Sequence, residues 1–309
     1  MSRATAAGLA LGAAADLLVA DPRRGHPVAG FGQAAAALER RMWRDSRAAG
    51  VAYAGFCVGA AVGVGTATSR LTAQHPVART AATALATWAV LGGTSLGRAA
   101  DTMERHLAAG DLPAARAHLS TLAGRDPSGL GEPELVRATV ESVAENTSDA
   151  AVAPLFWGAV AGLPGLLGYR AANTLDAMVG YRSARYARFG WAAARFDDVV
   201  NWVPARLTAV LTVLTAPLAG GSPSGAWRVW RRDGAAHPSP NAGRCEASLA
   251  GALDLRLGGR NVYGARVEER PVLGDGRPPA RTDVARAVRL SRAVWVAAAA
   301  LAAASRLRR

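Results

Sequence analysis

The sequence predicts an all-α, polytopic integral membrane protein, with helical cytoplasmic segments and Gly/Pro-rich loops between its spans. Three observations predict it. Half of the 309 residues are hydrophobic, only 19% are charged, and the mean hydropathy is +0.11. Several uncharged runs approach the roughly 20 residues that a helix needs to cross a hydrocarbon core. The formal net charge of +13 rests on arginines gathered between those runs. Polytopic proteins bias basic residues toward the cytoplasm and anionic lipid in this way. The same distribution argues against nucleic acid as a partner, and no RNA-binding or zinc-finger signature is present.

Taken in order, residues 4–20 form the first expected span, interrupted by Asp16. That charge and the Arg23–Arg24 pair after it favour a retained anchor over a cleaved leader. Residues 51–69 and 80–97 are uncharged and read as the second and third spans. The run 151–168 is equally apolar but contains Pro154 and Pro164, so it is expected to be broken or re-entrant. Such breaks persist at membrane depth only where protein or a wet cavity receives the freed backbone groups. Residues 203–219, apolar apart from Arg206, and 293–305 complete the set. The loop 21–50, with six arginines, and the segment 98–150 are placed in the cytoplasm. Residues 220–287 are too polar to span. The whole chain, 1–309, reads as a single integral membrane domain.

All 36 basic residues are arginine. With no lysine, a Walker-type phosphate lysine and a Schiff-base lysine are both excluded. Cys57 and Cys245 lie far apart without a CxxC partner and read as structural thiols.

Chemistry concentrates in three segments. In RATVESVAENTSD, Arg137, Glu141, Glu145 and Asp149 recur every fourth residue and share one helix face. Three carboxylates in successive turns repel unless a cation, a ligand or protons intervene. They also lead directly into an apolar run, where uncompensated charge is costly. The second segment holds Asn173 and Asp176, then Tyr181, Arg182 and Arg185, then Asp197, Asp198 and Asn201, with Arg206 beyond. Carboxylate-plus-amide oxygens suit Mg²⁺, which binds through one or two carboxylates plus substrate phosphates. Neighbouring guanidiniums offer planar forks to phosphate. The third segment, DGAAHPSPNAGRCEASLAGAL, sets His237, Ser239 and Asn241 on a Pro-punctuated loop, with Glu246 in the helix that follows. That helix start is a candidate anion site.

These residues therefore divide into expected roles. Asp198, His237, Asn241 and Glu246 are the candidate catalytic set. Arg182, Arg185 and Arg206, with Asn173, Asp176 and Tyr181, are expected to bind substrate and phosphate. Glu141, Glu145, Asp149, Asp197, Asp198 and Asn201 are the expected Mg²⁺ ligands. His75, His106 and His118 show no ligand spacing.

The motifs VESVAENTSDAAVAPLFWGAVAG, GYRAANTLDAMVGYRSARYARFGWAAARFDDVVNWVPARLTA and HPSPNAGRCEASLAGAL resemble the adenosylcobinamide-phosphate synthase family of cobalamin biosynthesis. DPRRGHPVAGFG and YGARVEERPVLGDG fit the same pattern, and the resemblance covers nearly the whole chain. The sequence departs from the familiar pattern at Pro127 and Ala150. The resemblance implies a multi-pass enzyme of the cell membrane that joins an aminopropanol phosphate to the corrinoid adenosylcobyric acid through an amide bond, driven by ATP. Its implied partners are those substrates, membrane lipids and other membrane-associated enzymes of the pathway. The rival reading is an intramembrane Mg²⁺-dependent prenyl or phospho-alcohol transferase, which wants an apolar tunnel where a corrinoid wants a broad polar cavity. A transporter predicts repeat symmetry, which the sequence lacks.

Overall fold

The computed structural model describes residues 3–22, 25–124, 126–181, 183–263 and 266–307. Its elements run α1 (Arg3–Val19), α2 (Pro27–Met42), α3 (Arg47–Leu71), α4 (Pro76–Val90), α5 (Gly93–Ala108), α6 (Leu112–Leu119), α7 (Glu132–Thr147), α8 (Ala153–Val179), α9 (Trp191–Val200), α10 (Trp202–Thr215), α11 (Pro223–Asp233), α12 (Ala242–Leu253), β1 (Leu257–Tyr263), β2 (Arg266–Leu273) and α13 (Arg281–Leu307). The protein is all-α in character, as its composition predicts. Four helical stretches, Arg47–Leu71, Glu132–Val179, Trp202–Ala219 and Arg281–Ala304, are long and apolar enough to cross a membrane. The expected spans at 51–69, 151–168 and 203–219 fall within them, and that at 293–305 does so as far as Ala304. That at 4–20 falls on the 17-residue α1, and that at 80–97 begins on the 15-residue α4.

Two local features depart from the hydropathy reading. The run 80–97 is not one helix: α4 stops at Val90, Leu91 is extended at φ −72° and ψ 149°, and α5 begins at Gly93. The Gly92 N–H donates to the Ala150 carbonyl at 3.0 Å, so the Gly92–Gly93 pair carries the chain through a turn that hydropathy does not register. Residues 257–273, within the segment too polar to span, form an antiparallel hairpin in which Arg260 faces Glu269. The expected break within 151–168 is present at Gly162, with φ 69° and ψ −148°. Gly162 tolerates this positive φ at little cost, and Pro164 two residues on has no N–H to continue the helical bonding.

Contacts gather into two compact units. The first holds the chain up to Gly92, Asp149–Asn201 and the chain from Ala298 onward. Here α1 lies against α4 through glycines. A Cβ on Gly8 would fall 2.5 Å from Thr83 Cβ, and one on Gly12 2.4 Å from Thr87 Cβ. Small residues four apart permit this backbone approach, a frequent device between membrane helices. A buried cluster of Ala35, Tyr53, Cys57, Leu175, Val179 and Phe189 ties α2, α3 and α8 together. Cys57 and Cys245 are both buried, as structural thiols should be.

The second unit holds Gly93–Ser148 and Trp202–Ala297. Its α13 is fixed at its start by Asp283, which accepts from Arg277 at 2.6 and 2.9 Å, from Arg286 at 2.8 Å and from the Ala280 N–H at 2.8 Å. Further along α13, Trp295 is packed to 1% exposure.

Candidate functional site

Each unit contains a buried polar cluster. In the first, α8 and α9 bring together residues that the sequence singled out. Asn201 donates through Nδ2 to Asp197 Oδ2 at 3.0 Å, and Asn173 Nδ2 reaches Asp197 Oδ1 at 3.4 Å. The Tyr169 hydroxyl donates to Asn201 Oδ1 at 2.8 Å and lies 3.3 Å from the Asp149 carbonyl oxygen. Arg170 Nη1 donates to Asn173 Oδ1 at 3.3 Å. Helical spacing explains half of this, since Asp197–Asn201 and Tyr169–Asn173 are each one turn apart. Asp197 and Asn201 are buried. Burial first, and the charge of Asp176 second, push the Asp197 carboxyl up to about 7, against the downward pull of the two amide bonds.

The remaining expected ligands have different surroundings. Asp198 lies 3.5 Å from the Arg195 guanidinium through Oδ2. Asp149 lies on a wide π-turn, Ser148–Val152, which takes it off the regular phase of α7. Glu141 and Glu145 lie on α7 in the second unit, whereas Asp149, Asp197, Asp198 and Asn201 belong to the first. Glu141 is 2% exposed and accepts the Gly258 N–H through Oε1 at 2.7 Å. Among the described residues, no group of three or more His, Cys, Asp or Glu side chains is arranged to hold a metal ion. The donor set around Asp197 gives the same answer, because amide N–H groups meet both of its oxygens. It does not form a cage for a resident Mg²⁺.

Of the expected phosphate binders, Arg182 lies outside the described residues. Arg185 is tied instead to Glu39 on α2, with Nη2 to Oε1 at 2.9 Å, and its guanidinium stacks over Trp43 at 4.6 Å. Tyr186 donates to the same carboxylate oxygen at 3.1 Å. The Glu39 bond holds the Arg185 guanidinium above its ordinary basicity. Tyr181 is exposed. The backbone oxygen of Asp176 closes α8 by accepting the Gly180 N–H at 2.7 Å.

The second cluster surrounds His237. The backbone N–H of Ser239 meets its Nδ1 at 3.0 Å, which leaves Nε2 as the nitrogen for side-chain partners. That nitrogen faces Glu246 Oε1 at 3.9 Å and Arg270 Nη1 at 3.1 Å. His237 and Glu246 are 8% and 1% exposed, so a carboxylate, a guanidinium and an imidazole meet largely out of water. Arg206 lies against Asn241 Oδ1 at 3.4 Å and stacks over Trp202 at 3.9 Å. The start of α12 is more occupied than the sequence suggests, since Ser239 Oγ accepts the N–H groups of Asn241 and Ala242 at 3.3 and 3.1 Å. Such a cluster can accept a proton at imidazole and hold an anion on guanidinium.

Sequence reasoning did not find Tyr169, Arg170 or Arg270. A signal for Tyr169 exists in its position one turn before Asn173. Arg270 sits on β2, 33 residues from His237, with no local signal at all.

The spans and these two buried clusters define a polytopic membrane protein equipped for polar chemistry. The chain belongs to the CobD/CbiB family: the model described as "CobD/Cbib protein" matches residues 9–291. It is 57% identical to a cobalamin biosynthesis protein CobD of Mycobacterium tuberculosis, over 96% of this chain and 94% of that protein. Proteins of the same name from Geobacter metallireducens and Rhodobacter capsulatus are 46% and 44% identical, over 85% and 87% of this chain and 85% and 86% of their own. No solved structure matches the chain. Family membership supports an enzyme role in cobalamin biosynthesis.

Proposed function

We propose that this protein is an adenosylcobinamide-phosphate synthase of the cell membrane, joining (R)-1-amino-2-propanol phosphate to adenosylcobyric acid with ATP. Family membership along nearly the whole chain supports the pathway. The observation that carries the chemistry is the buried His237–Glu246 pair beside Arg270. A carboxylate does not condense with an amine unaided. In the proposed reaction a corrinoid carboxylate oxygen attacks the γ-phosphate of ATP, giving an acyl phosphate and releasing ADP. The amine then attacks the acyl carbon, and phosphate leaves. The amine arrives as an ammonium and must lose a proton before it attacks, for which His237 is the fitting acceptor and Glu246 the group that stabilises the imidazolium. Arg206 and Arg270 are placed to hold anionic groups of the substrates. Magnesium enters this scheme with the nucleotide, as part of the substrate.

One observation favours the rival transferase reading. A cavity of about 390 Å³ in the first unit is walled by Phe31, Val64, Leu85, Ala89 and Leu167, with Arg170 among its lining residues. An apolar chamber with one cation suits a lipid phosphate.

Product analysis separates the two. The purified protein is supplied with adenosylcobyric acid, ATP and aminopropanol, with and without its phosphate, and in parallel with a prenyl diphosphate and an alcohol acceptor. A corrinoid of the mass of the amide supports the synthase. A prenylated or phosphodiester product without any corrinoid amide supports the transferase.

A further inference from the structure

A cavity in the second unit has no part in the roles assigned above. It measures about 600 Å³, within the range of small-molecule sites, and lies between the start of α7 and the opening turn of β1. Three guanidiniums line it, those of Arg137, Arg256 and Arg260.

Its floor is glycine. Gly258 and Gly259 have φ of +83° and +84°, a left-handed backbone that other residues rarely adopt. A Cβ on Gly259 would stand 3.0 Å from Arg137 Nη1, so the missing side chain leaves that guanidinium open to the cavity. Arg137 is also held in place, because Nη1 donates to the Gly258 carbonyl and Nη2 to the Arg260 carbonyl at 2.7 Å. A fixed fork loses little freedom when it meets a ligand.

The balance of charge favours an anion. The lining carboxylate, Glu134, accepts the Gly131 N–H at 3.1 Å in a helix-capping arrangement. Glu269 stands opposite Arg260 in the strand register, yet the two make no ion pair among the described contacts. Arg256 and Arg260 are exposed at the cavity edge. Three planar donors, a glycine turn that admits close approach and one capped carboxylate match the shape and charge of a phosphate group. In a chain with no lysine, arginine must supply this recognition.

We propose that this cavity binds a phosphate-bearing ligand through Arg137, Arg256 and Arg260. Phosphate binding here is independent of the reaction proposed above. Assigning the phosphate to a nucleotide rests on that reaction, since the same chemistry belongs to a nucleoside polyphosphate and to a phosphate monoester.

The test uses the full chain in nanodiscs of zwitterionic lipid and titration calorimetry with three probes: pyrophosphate, ATP and 1-amino-2-propanol phosphate. At least one probe is expected to bind. The double variant Arg256→Ala/Arg260→Ala is expected to weaken it about 10- to 100-fold, the usual effect of losing charge-assisted contacts. Parallel weakening of pyrophosphate and ATP identifies a polyphosphate, and weakening of the amino alcohol phosphate alone identifies a monoester. Both side chains are exposed, so the melting temperature should hold. If the double variant unfolds, Arg256→Gln, which removes a single exposed charge, gives the same reading. Binding of no probe by the unaltered protein, or equal affinities in protein and variant, overturns the proposal. Amide formation, followed separately, reports on the reaction and leaves this result unaffected.

Discussion

Arg137 and Glu141, one turn apart on α7, hold opposite backbone groups of a single residue, Gly258. The Arg137 guanidinium donates to its carbonyl and the Glu141 carboxylate accepts its N–H at 2.7 Å. The pair therefore clamps the left-handed turn that opens β1. Glu141→Ala leaves the Gly258 N–H without its acceptor and should cost about 1–3 kcal/mol. Glu141→Gln retains an acceptor oxygen and should cost much less. Denaturant titration of both variants checks this, and equal losses would count against the clamp.

A pH dependence follows from Asp197. Its folded pKa, raised to about 7, stands above the ordinary value near 3.9 of an unfolded chain. The folded state thus holds the proton more tightly. The contribution is fully present below about pH 4 and is lost as pH rises through about 7. Asp197→Asn removes the titration, so the variant should gain melting temperature relative to the unaltered protein between pH 5 and 8. A relative loss over that interval would mean that a cation neutralises the ionised carboxylate.

The Arg185–Glu39 tie changes what Arg185→Ala should show. Arg185 is half exposed, so water screens the pair and its own contribution to stability is small. Glu39→Gln should reproduce the effect of Arg185→Ala on stability, and a double-mutant cycle should show the two to be coupled. If Arg185 instead binds phosphate directly, its loss raises KM for a phosphate-bearing substrate while Glu39→Gln leaves KM unchanged.

For the second cluster, His237→Gln should lower kcat about 100-fold or more with little change in KM, the range expected when a general base is lost. Glu246→Gln should lower kcat as well and move the acidic limb of the pH–rate profile toward lower pH, because an imidazolium beside a neutral amide releases its proton more readily. A profile unchanged in both variants would remove the pair from the proton transfer.

What the sequence revealed follows the range of the interactions involved. Hydropathy located the apolar helices, and Pro164 marked the break that falls at Gly162. The Asp197–Asn201 bond was legible because helical spacing places i and i+4 together. Contacts between residues far apart in the chain left no such trace. Glu39 and Arg185 are separated by 146 residues, and Gly258 reaches Glu141 across 117. The hairpin was hidden for a related reason, since its glycines and arginines break the alternation by which strands are recognised. The regular fourfold spacing of Glu141, Glu145 and Asp149 also misled, because a π-turn begins at Ser148 and shifts Asp149 out of phase.

The central claim is tested most directly by mass spectrometry of the corrinoid after the purified protein is incubated with adenosylcobyric acid, ATP and (R)-1-amino-2-propanol phosphate. The account predicts a new corrinoid heavier by the amine donor less one water, formed only with ATP present and formed about 100-fold more slowly, or slower still, by His237→Gln. Unchanged adenosylcobyric acid, from protein shown to be folded, would contradict it.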